Sequence, residues 1–232
     1  MTNLKQKIEN MFQCILSVVF PDKCIFCNKK GELLCEFCIL KTRHPERDLP
    51  KDTYAACDYR DPQIKKALLS LKYYKKRRLA IILGGILYDR LMEEIAELRI
   101  YTRGAPIILL PIPLSKKRLK ERGYNQAKEI AEGLKIVSEK NINMSIKLFE
   151  IKDDLVEKWK DTKPQAKITN RNERIKNVKN CFKINSKKNS ILKGRTVIVI
   201  DDITTTGSTL YEVMEIIKEN GAKKVVGFAV AH

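Results

Sequence analysis

The sequence has far fewer acidic than basic residues, few aromatic residues and no long apolar run. Its 232 residues contain 28 Asp and Glu against 46 Lys and Arg, and aromatic residues make up 7%. A membrane-spanning helix needs about 20 mostly apolar residues in a row, and no stretch approaches that length. We therefore expect no transmembrane segment and a cytoplasmic location, with peripheral attachment to the inner membrane face as an alternative.

Neither a repeat of fixed period nor a helix-turn-helix pattern is evident in the sequence. The formal net charge of +18 favours a polyanionic partner, either nucleic acid or anionic lipid. A lysine-rich genome would produce part of the same excess. The charge is uneven, because residues 151–195 hold fourteen Lys and Arg against five Asp and Glu.

Cysteines occur in an unusual pattern, with four of the seven in two close CxxC pairs. The pairs are Cys24 with Cys27 and Cys35 with Cys38. Two such turns offer four thiolates, which suit a tetrahedral structural Zn²⁺ site. A redox CxxC is the alternative, but a redox pair needs no second pair so near. The odd total argues against a disulfide framework, and we interpret the remaining cysteines as buried small apolar residues.

Residues 196–210 contain the most informative pattern of the chain. The apolar run from Val197 to Ile200 predicts a strand buried on both faces of a parallel sheet. Apolar residues then recur at helical spacing from Leu210 to Ile217, and Gly221 is placed to end that helix. The polar turn between strand and helix lies where open α/β sheets bind ligands.

The residues of this turn suit a ribose 5-phosphate. Free amides at a helix N-terminus, together with hydroxyl groups, bind phosphate. The two preceding carboxylates can accept hydrogen bonds from the hydroxyls of a ribose. An ordinary capped turn is the alternative. The candidate ligand-binding residues are Asp201, Asp202, Thr204, Thr205, Thr206, Gly207, Ser208 and Thr209.

A second buried strand is predicted over residues 106–113, and a basic segment follows it. Five bases and one acid lie between Lys116 and Arg122, which predicts either a nucleic-acid loop or a pyrophosphate loop. The candidate pyrophosphate-loop residues are Pro113, Leu114, Ser115 and Lys116. Buried strands that alternate with helices predict an α/β doubly wound fold with a mainly parallel sheet.

Other basic residues cluster along the chain, and one aromatic residue lies among them. Trp159 stands between two lysines, which is typical of a base-stacking site, although a tryptophan that wedges a loop onto the core is an equal alternative. The candidate nucleic-acid residues are Lys72, Lys75, Lys76, Arg77, Arg78, Lys116, Lys117, Arg118, Lys120, Arg122, Trp159, Arg171 and Arg174.

Three regions follow from these patterns. Residues 1–22 have apolar residues on one helical face and predict an amphipathic N-terminal helix, which Pro21 ends. Residues 23–50 form the predicted zinc knuckle and its linker. Residues 51–232 form the α/β domain.

The strand, the two acids and the Thr-Thr-Gly-Ser-Thr run together resemble the signature of the phosphoribosyltransferase fold. With the four-cysteine knuckle, Leu71-Lys72-Tyr73, the motif over residues 111–126, and Gln165, Arg174 and Asn177, the chain resembles ComF-type late-competence proteins. This resemblance implies a type I phosphoribosyltransferase sheet that binds phosphoribosyl pyrophosphate (PRPP) with Mg²⁺. It also implies a role in the uptake of single-stranded DNA for transformation, with a DNA-translocating helicase as a partner.

Whether the pocket turns PRPP over is a separate question. In base-salvage relatives, an acid within the phosphate loop can accept a proton from the nucleobase, and the matching position is Thr205. No obvious base-recognition segment follows the last predicted strand. We therefore assign no catalytic residue, and an active phosphoribosyltransferase acting on a small base or amine is the alternative.

Overall fold

The computed structural model describes residues 22–45, 49–74, 76–100, 104–141, 147–162, 173 and 177–232. The predicted amphipathic helix lies outside the described residues except for Asp22. The DNA candidates Lys75, Arg171 and Arg174 and the motif residue Gln165 also lie outside them.

A five-stranded, fully parallel sheet forms the centre of the domain. Its strands are β1 (Thr53–Cys57), β2 (Ile107–Pro111), β3 (Phe149–Ile151), β6 (Thr196–Ile203) and β7 (Lys224–Ala231). The spatial order is β1-β7-β6-β2-β3, with β6 at the centre, and Ile200 is aligned with both Pro111 and Phe228. Two shorter strands, β4 (Val156–Lys158) and β5 (Phe182–Ile184), form a separate antiparallel pair.

Helices connect and cover these strands. They are α1 (Glu36–Leu40), α2 (Pro62–Tyr73), α3 (Leu79–Ile100), α4 (Lys116–Arg122), α5 (Gln126–Asn141) and α6 (Ser208–Glu219), with a 3₁₀ turn at Asn189–Leu192. Helix α2 begins at Pro62 because the Asp61 carboxylate caps it, accepting hydrogen bonds from the backbone amides of Gln63 and Ile64. Gly221 follows α6 with φ +92°, as its predicted role at the helix end requires.

Alternating residues of the central strands face two separate cores. Ile198 and Ile200 of β6 pack with α3 and α5 on one face of the sheet. Val197 and Val199 pack on the opposite face against α6 residues such as Val213. The predicted doubly wound, mainly parallel α/β fold is therefore confirmed.

Two regions differ from the sequence-based prediction. Residues 116–122, expected to form a loop, are the helix α4, because Ser115 caps its start and Gly123 ends it in the left-handed conformation. The β4–β5 pair lies within the polar region 151–195, for which no strands were predicted. Among the described residues, no helix is long and apolar enough to cross a membrane.

Candidate functional site

The carboxyl ends of β6 and β2 bring the two predicted ligand loops together. These strands are hydrogen-bonded neighbours, so the turn after Ile203 and the segment after Pro111 leave the sheet side by side. The amide of Ile112 still donates to the Ile200 carbonyl, at 2.9 Å. A ligand at this edge would therefore meet both loops at once.

The turn from β6 to α6 is built as a helix N-terminus. Gly207 precedes the helix with φ +73°, a conformation that side chains rarely adopt. The Thr206 and Ser208 hydroxyls hydrogen-bond to each other. The Tyr211 amide donates to the Gly207 carbonyl at 2.8 Å, so the helical hydrogen bonds begin there. Before it, the Ser208 amide makes a long bond of 3.4 Å to the Thr206 hydroxyl. This geometry suits a phosphate group.

The other turn residues are arranged around that N-terminus. Thr204 is buried, and its amide donates to the Ala231 carbonyl at the end of β7. Thr205 is exposed, and Thr209 is half-buried. The Pro50 ring packs against Gly207 so closely that a Cβ there would lie 2.7 Å from its Cγ. Any side chain at Gly207 would therefore displace the segment before β1.

Asp201 and Asp202 differ in their surroundings. Asp201 is half-buried, and its carboxylate accepts a hydrogen bond from the Asp202 amide at 2.8 Å. Burial and the neighbouring Asp202 carboxylate raise the pKa of Asp201 to about 8. Asp202 is 8% exposed, and its Oδ1 accepts from the Ile203 amide. The two acids therefore present unequal carboxyl groups to a ligand.

Lys72 belongs to this site, although its sequence context predicts a place on a DNA-binding surface. It was grouped with the bases of a DNA-binding surface, but its Nζ lies 2.8 Å from Asp202 Oδ2, and its side chain is only 16% exposed. Burial lowers the pKa of Lys72, but attraction by Asp202 and Asp201 outweighs it, so the pKa lies above its usual range. The ammonium group is engaged within the acid pair's site and does not contribute to an exposed basic surface.

A chain of hydrogen bonds fixes the end of α2 relative to the sheet. The Tyr124 hydroxyl donates to the Leu71 carbonyl, one residue before Lys72. Asn125 donates through its side-chain amide to the Ile112 carbonyl at 2.9 Å, and its Oδ1 accepts from the Ala127 amide. The Gly-Tyr-Asn-Gln part of the motif therefore connects the end of α2 to the end of β2, the hydrogen-bonded neighbour of the strand that carries the acids.

The predicted pyrophosphate loop continues into α4, and the basic side chain of Arg118 in that helix lies near Lys158 of β4. Arg118 donates to the Thr162 carbonyl at 2.9 Å, and Lys158 donates to the Thr162 hydroxyl at 3.0 Å. Burial and the positive charge of Arg118 lower the pKa of Lys158. Two cations thus lie close together beside the loop, an arrangement that suits an anionic ligand. The sequence marks Lys158 as a neighbour of Trp159, but the contacts of Lys158 and Arg118 with Thr162 depend on the tertiary fold.

Trp159 lines an open cleft of about 630 Å³ beside the same loop. The residue is 59% exposed, which does not fit a tryptophan that wedges a loop onto the core. The lining includes Pro113, Leu114, Ser115, Lys116 and Lys117 of the predicted pyrophosphate loop and α4. An exposed indole beside exposed lysines is compatible with base stacking.

The remaining DNA candidates among the described residues lie on or near the surface. Arg77 and Arg78 are exposed but form ion pairs with Glu129 and Asp22. Arg122 is half-buried and donates to the Gln126 side chain at 2.7 Å. The other exposed candidates are Lys76, Lys116, Lys117 and Lys120.

The four cysteines form one compact cluster. The sulfur atoms of Cys24 and Cys38 lie 3.8 Å apart, those of Cys27 and Cys35 lie 3.6 Å apart, and all four fall within 4.8 Å of one another. A tetrahedral Zn²⁺ with bonds of about 2.3 Å places its sulfur ligands roughly 3.8 Å apart. The four cysteines predicted as metal ligands are therefore close enough together to bind one ion, and their sulfur donors fit Zn²⁺.

The four thiols of the cluster differ in exposure. Cys24, Cys35 and Cys38 are buried and Cys27 is exposed. Burial and hydrogen bonds with the neighbouring thiols raise the pKa of Cys38 to about 12. Burial also acts to raise the pKa of Cys24, but hydrogen bonds from the backbone and from Cys27 outweigh it and lower that pKa to about 6. A bound metal ion would stabilise all four thiolates together.

The carboxyl-terminal half of the chain matches a known domain family, the phosphoribosyl transferase domain, over residues 119–232. The chain is also 8% identical to hypoxanthine phosphoribosyltransferase from Trypanosoma cruzi, with a TM-score of 0.37, over 66% of this chain and 64% of that chain. A structural similarity this low carries no conclusion.

Three curated proteins are similar to this chain in sequence. Competence protein F of Haemophilus influenzae is 30% identical over 54% of this chain and 50% of that protein. Competence protein ComFC of Bacillus subtilis is 35% identical over 49% of this chain and 39% of that protein. DNA utilization protein YhgH of Shigella flexneri is 25% identical over 84% of this chain and 76% of that protein.

The chain thus spans half the length of competence protein F and a larger share of YhgH. The domain match contains the acid pair, the turn from β6 to α6 and most of α4. The four-cysteine cluster precedes it. This chain is therefore a relative of the ComF-type competence proteins that carries a phosphoribosyl transferase domain behind a potential metal-binding knuckle.

Proposed function

We propose that this chain is a competence protein that binds PRPP with Mg²⁺ and single-stranded DNA, and that it assists entry of the DNA into the cytoplasm. One observation carries the small-molecule part. An acid pair, a hydroxyl-lined helix N-terminus and a basic loop meet at one edge of a parallel sheet. The acids suit ribose hydroxyls, the turn suits the 5′-phosphate, and the loop residues from Pro113 to Lys116 suit the pyrophosphate.

The DNA part is supported by charge and by the relatives. Two competence proteins and a DNA utilization protein are similar to this chain. Lys116 and Lys117 of α4 line the same cleft as Trp159, so phosphate contacts and base stacking are both available there. A DNA-translocating helicase is the partner class that fits this role, and the site of action is the cytoplasm.

Mg²⁺ and Zn²⁺ have separate places in this proposal. Mg²⁺ would arrive with PRPP, bridging its phosphate oxygens. Zn²⁺ would be held by Cys24, Cys27, Cys35 and Cys38 and would stabilise the knuckle.

The proposal is tested in a transformable strain that lacks the gene for this chain. We expect the deletion to reduce transformation strongly, with labelled DNA reaching the periplasm but not the cytoplasm. The wild-type gene should restore cytoplasmic DNA, and the Asp201→Asn, Asp202→Asn double variant should not. Normal transformation of the deletion strain would contradict the proposed role.

An active phosphoribosyltransferase is the second candidate, favoured by the domain match over residues 119–232. Thr205 stands in the turn where base-salvage relatives can carry a catalytic acid, and it offers no carboxylate. Release of pyrophosphate from PRPP, measured against a panel of nucleobases and amines, separates the candidates. Robust turnover with any acceptor would favour the enzyme.

A further inference from the structure

The ion pair between Lys72 and Asp202 affects whether a divalent cation can bind at the two acids. Two carboxyl groups on adjacent residues ionise together only when a cation lies nearby, and a sugar phosphate brings further negative charge to the same place. The Lys72 ammonium stands 2.8 Å from Asp202 Oδ2. A divalent cation at that oxygen would have to displace it.

The ammonium is held in place by the fold. Lys72 lies in the last turn of α2, and the preceding Leu71 is fully buried. The Leu71 carbonyl accepts a hydrogen bond from Tyr124, and Tyr124 is followed by Asn125, whose side chain binds the Ile112 carbonyl. The Ile112 amide in turn binds the Ile200 carbonyl on β6, directly before the acids. These contacts link the strand that carries the acids to the helix that carries Lys72. The ammonium group is therefore in position before any ligand binds.

The remaining oxygens of the pair are partly used by the backbone. Asp202 Oδ1 accepts from the Ile203 amide at 2.8 Å, and Asp201 Oδ1 accepts from the Asp202 amide at 2.8 Å. With Lys72 on Asp202 Oδ2, three of the four carboxylate oxygens already have a donor or a cation beside them. Such a site is poorly suited to a dication, which prefers several free oxygen ligands.

We infer that Lys72 is the resident counter-ion of the acid pair, a positioning residue that takes the place of a protein-bound divalent cation and lets an anionic sugar phosphate bind there without one. This inference rests on the proposed ribose-phosphate pocket. It separates two roles of cations: Lys72 neutralises the acids, and Mg²⁺ accompanies only the pyrophosphate of PRPP.

The test measures binding of Mn²⁺, as a probe for divalent cations, to the ligand-free protein by electron paramagnetic resonance. Four proteins are compared: wild type, Lys72→Met, Lys72→Arg and Lys66→Met. Lys66 is an exposed lysine on the same helix, so its variant loses the same charge away from the acids. We expect Lys72→Met alone to gain one Mn²⁺ site, and Asp202→Asn in the same chain to remove it. No gain in Lys72→Met, or an equal site in the wild type, would overturn the inference.

A second measurement distinguishes failure of this inference from failure of the proposed pocket. Ribose 5-phosphate binding is followed by calorimetry in buffer freed of divalent cations, without a chelator that could remove zinc from the knuckle. Wild type and Lys72→Arg should bind within about threefold of each other, and Lys72→Met at least tenfold more weakly, with recovery when Mg²⁺ is added. Equal binding by Lys72→Met in this buffer would overturn the inference. Absence of binding to every protein, with the Mn²⁺ site still gained, would instead contradict the proposed pocket and leave the role of Lys72 standing.

Discussion

Gly84 of α3 lies directly against the backbone of Leu134 in α5, so that a Cβ on Gly84 would stand 2.3 Å from the Leu134 nitrogen. Gly133 makes the reciprocal approach to the Ala80 carbonyl. The two helices therefore touch through their backbones, on the sheet face that also holds Ile198 and Ile200.

We predict that Gly84→Ala destabilises the protein by at least about 2 kcal/mol, because backbone atoms cannot move aside as a side chain can. Gly85 is the matched control, since a Cβ there would meet only the Val137 Cγ2 at 3.6 Å. Gly85→Ala should be neutral or stabilising by about 0.5–1 kcal/mol through helix propensity. Urea unfolding of both variants measures the difference, and equal effects would contradict the backbone contact.

The cysteine cluster predicts one zinc ion per chain. Cys38→Ser should lower the zinc content and loosen the knuckle, because binding of a structural metal contributes directly to folding in so small a unit. Cys181→Ser should keep full zinc content, since Cys181 lies in the other core, away from the cluster. Metal analysis of the purified proteins checks both. Wild-type protein without zinc and with four freely reactive thiols would exclude the site.

Asp201 should make stability depend on pH. Its pKa is about 8 in the folded protein, against about 3.9 in an unfolded chain. The folded state therefore holds a proton that the unfolded state has lost, so this group's contribution to stability falls as pH rises from about 4 to 8. Asp201→Asn removes that loss while keeping an acceptor for the Asp202 amide.

The stability of Asp201→Asn relative to wild type should accordingly increase from pH 5 to pH 8. Urea unfolding of the two proteins at matched pH values measures the difference, and zinc effects common to both cancel. A difference that is constant over this range would show that Asp201 titrates at its ordinary pKa.

The β6 turn could be predicted from sequence because its signals are local. A short continuous apolar run, two acids and a glycine within a threonine-rich segment identify strand, site and helix within 15 residues. Helix α4 was also marked locally, by Ser115 before it and Gly123 after it, but its high charge led to the expectation of a loop. The strands β4 and β5 are only three residues each within a polar region, so no periodicity reveals them.

The partner of Lys72 could not be predicted in the same way. Lys72 and Asp202 are distant in the chain and meet only because Tyr124 and Asn125 fix α2 against the sheet. Charge patterning alone assigned Lys72 to the surrounding bases. The tertiary fold separates it from them, and only the Leu-Lys-Tyr motif singles it out in the sequence.

Binding of single-stranded DNA should depend on Lys116 and Lys117, which are exposed at the start of α4. If each contacts one phosphate, replacing both with alanine should flatten the dependence of log K on log salt by about 1.4, at about 0.7 per phosphate. Lys65→Ala with Lys66→Ala removes the same charge from α2 and should leave the slope unchanged. An unchanged slope in the Lys116, Lys117 variant would assign these lysines to another role.

PRPP binding tests the central claim most directly, because it requires the acid pair, the turn and the basic loop to act as one site. Calorimetry with Mg²⁺ should show one PRPP bound per wild-type chain. The Asp201→Asn, Asp202→Asn variant should lose this binding while circular dichroism shows an intact fold and metal analysis shows retained zinc. Equal PRPP affinity in the two proteins, or no binding to either, would contradict the assignment of this sheet edge as a ribose-phosphate site.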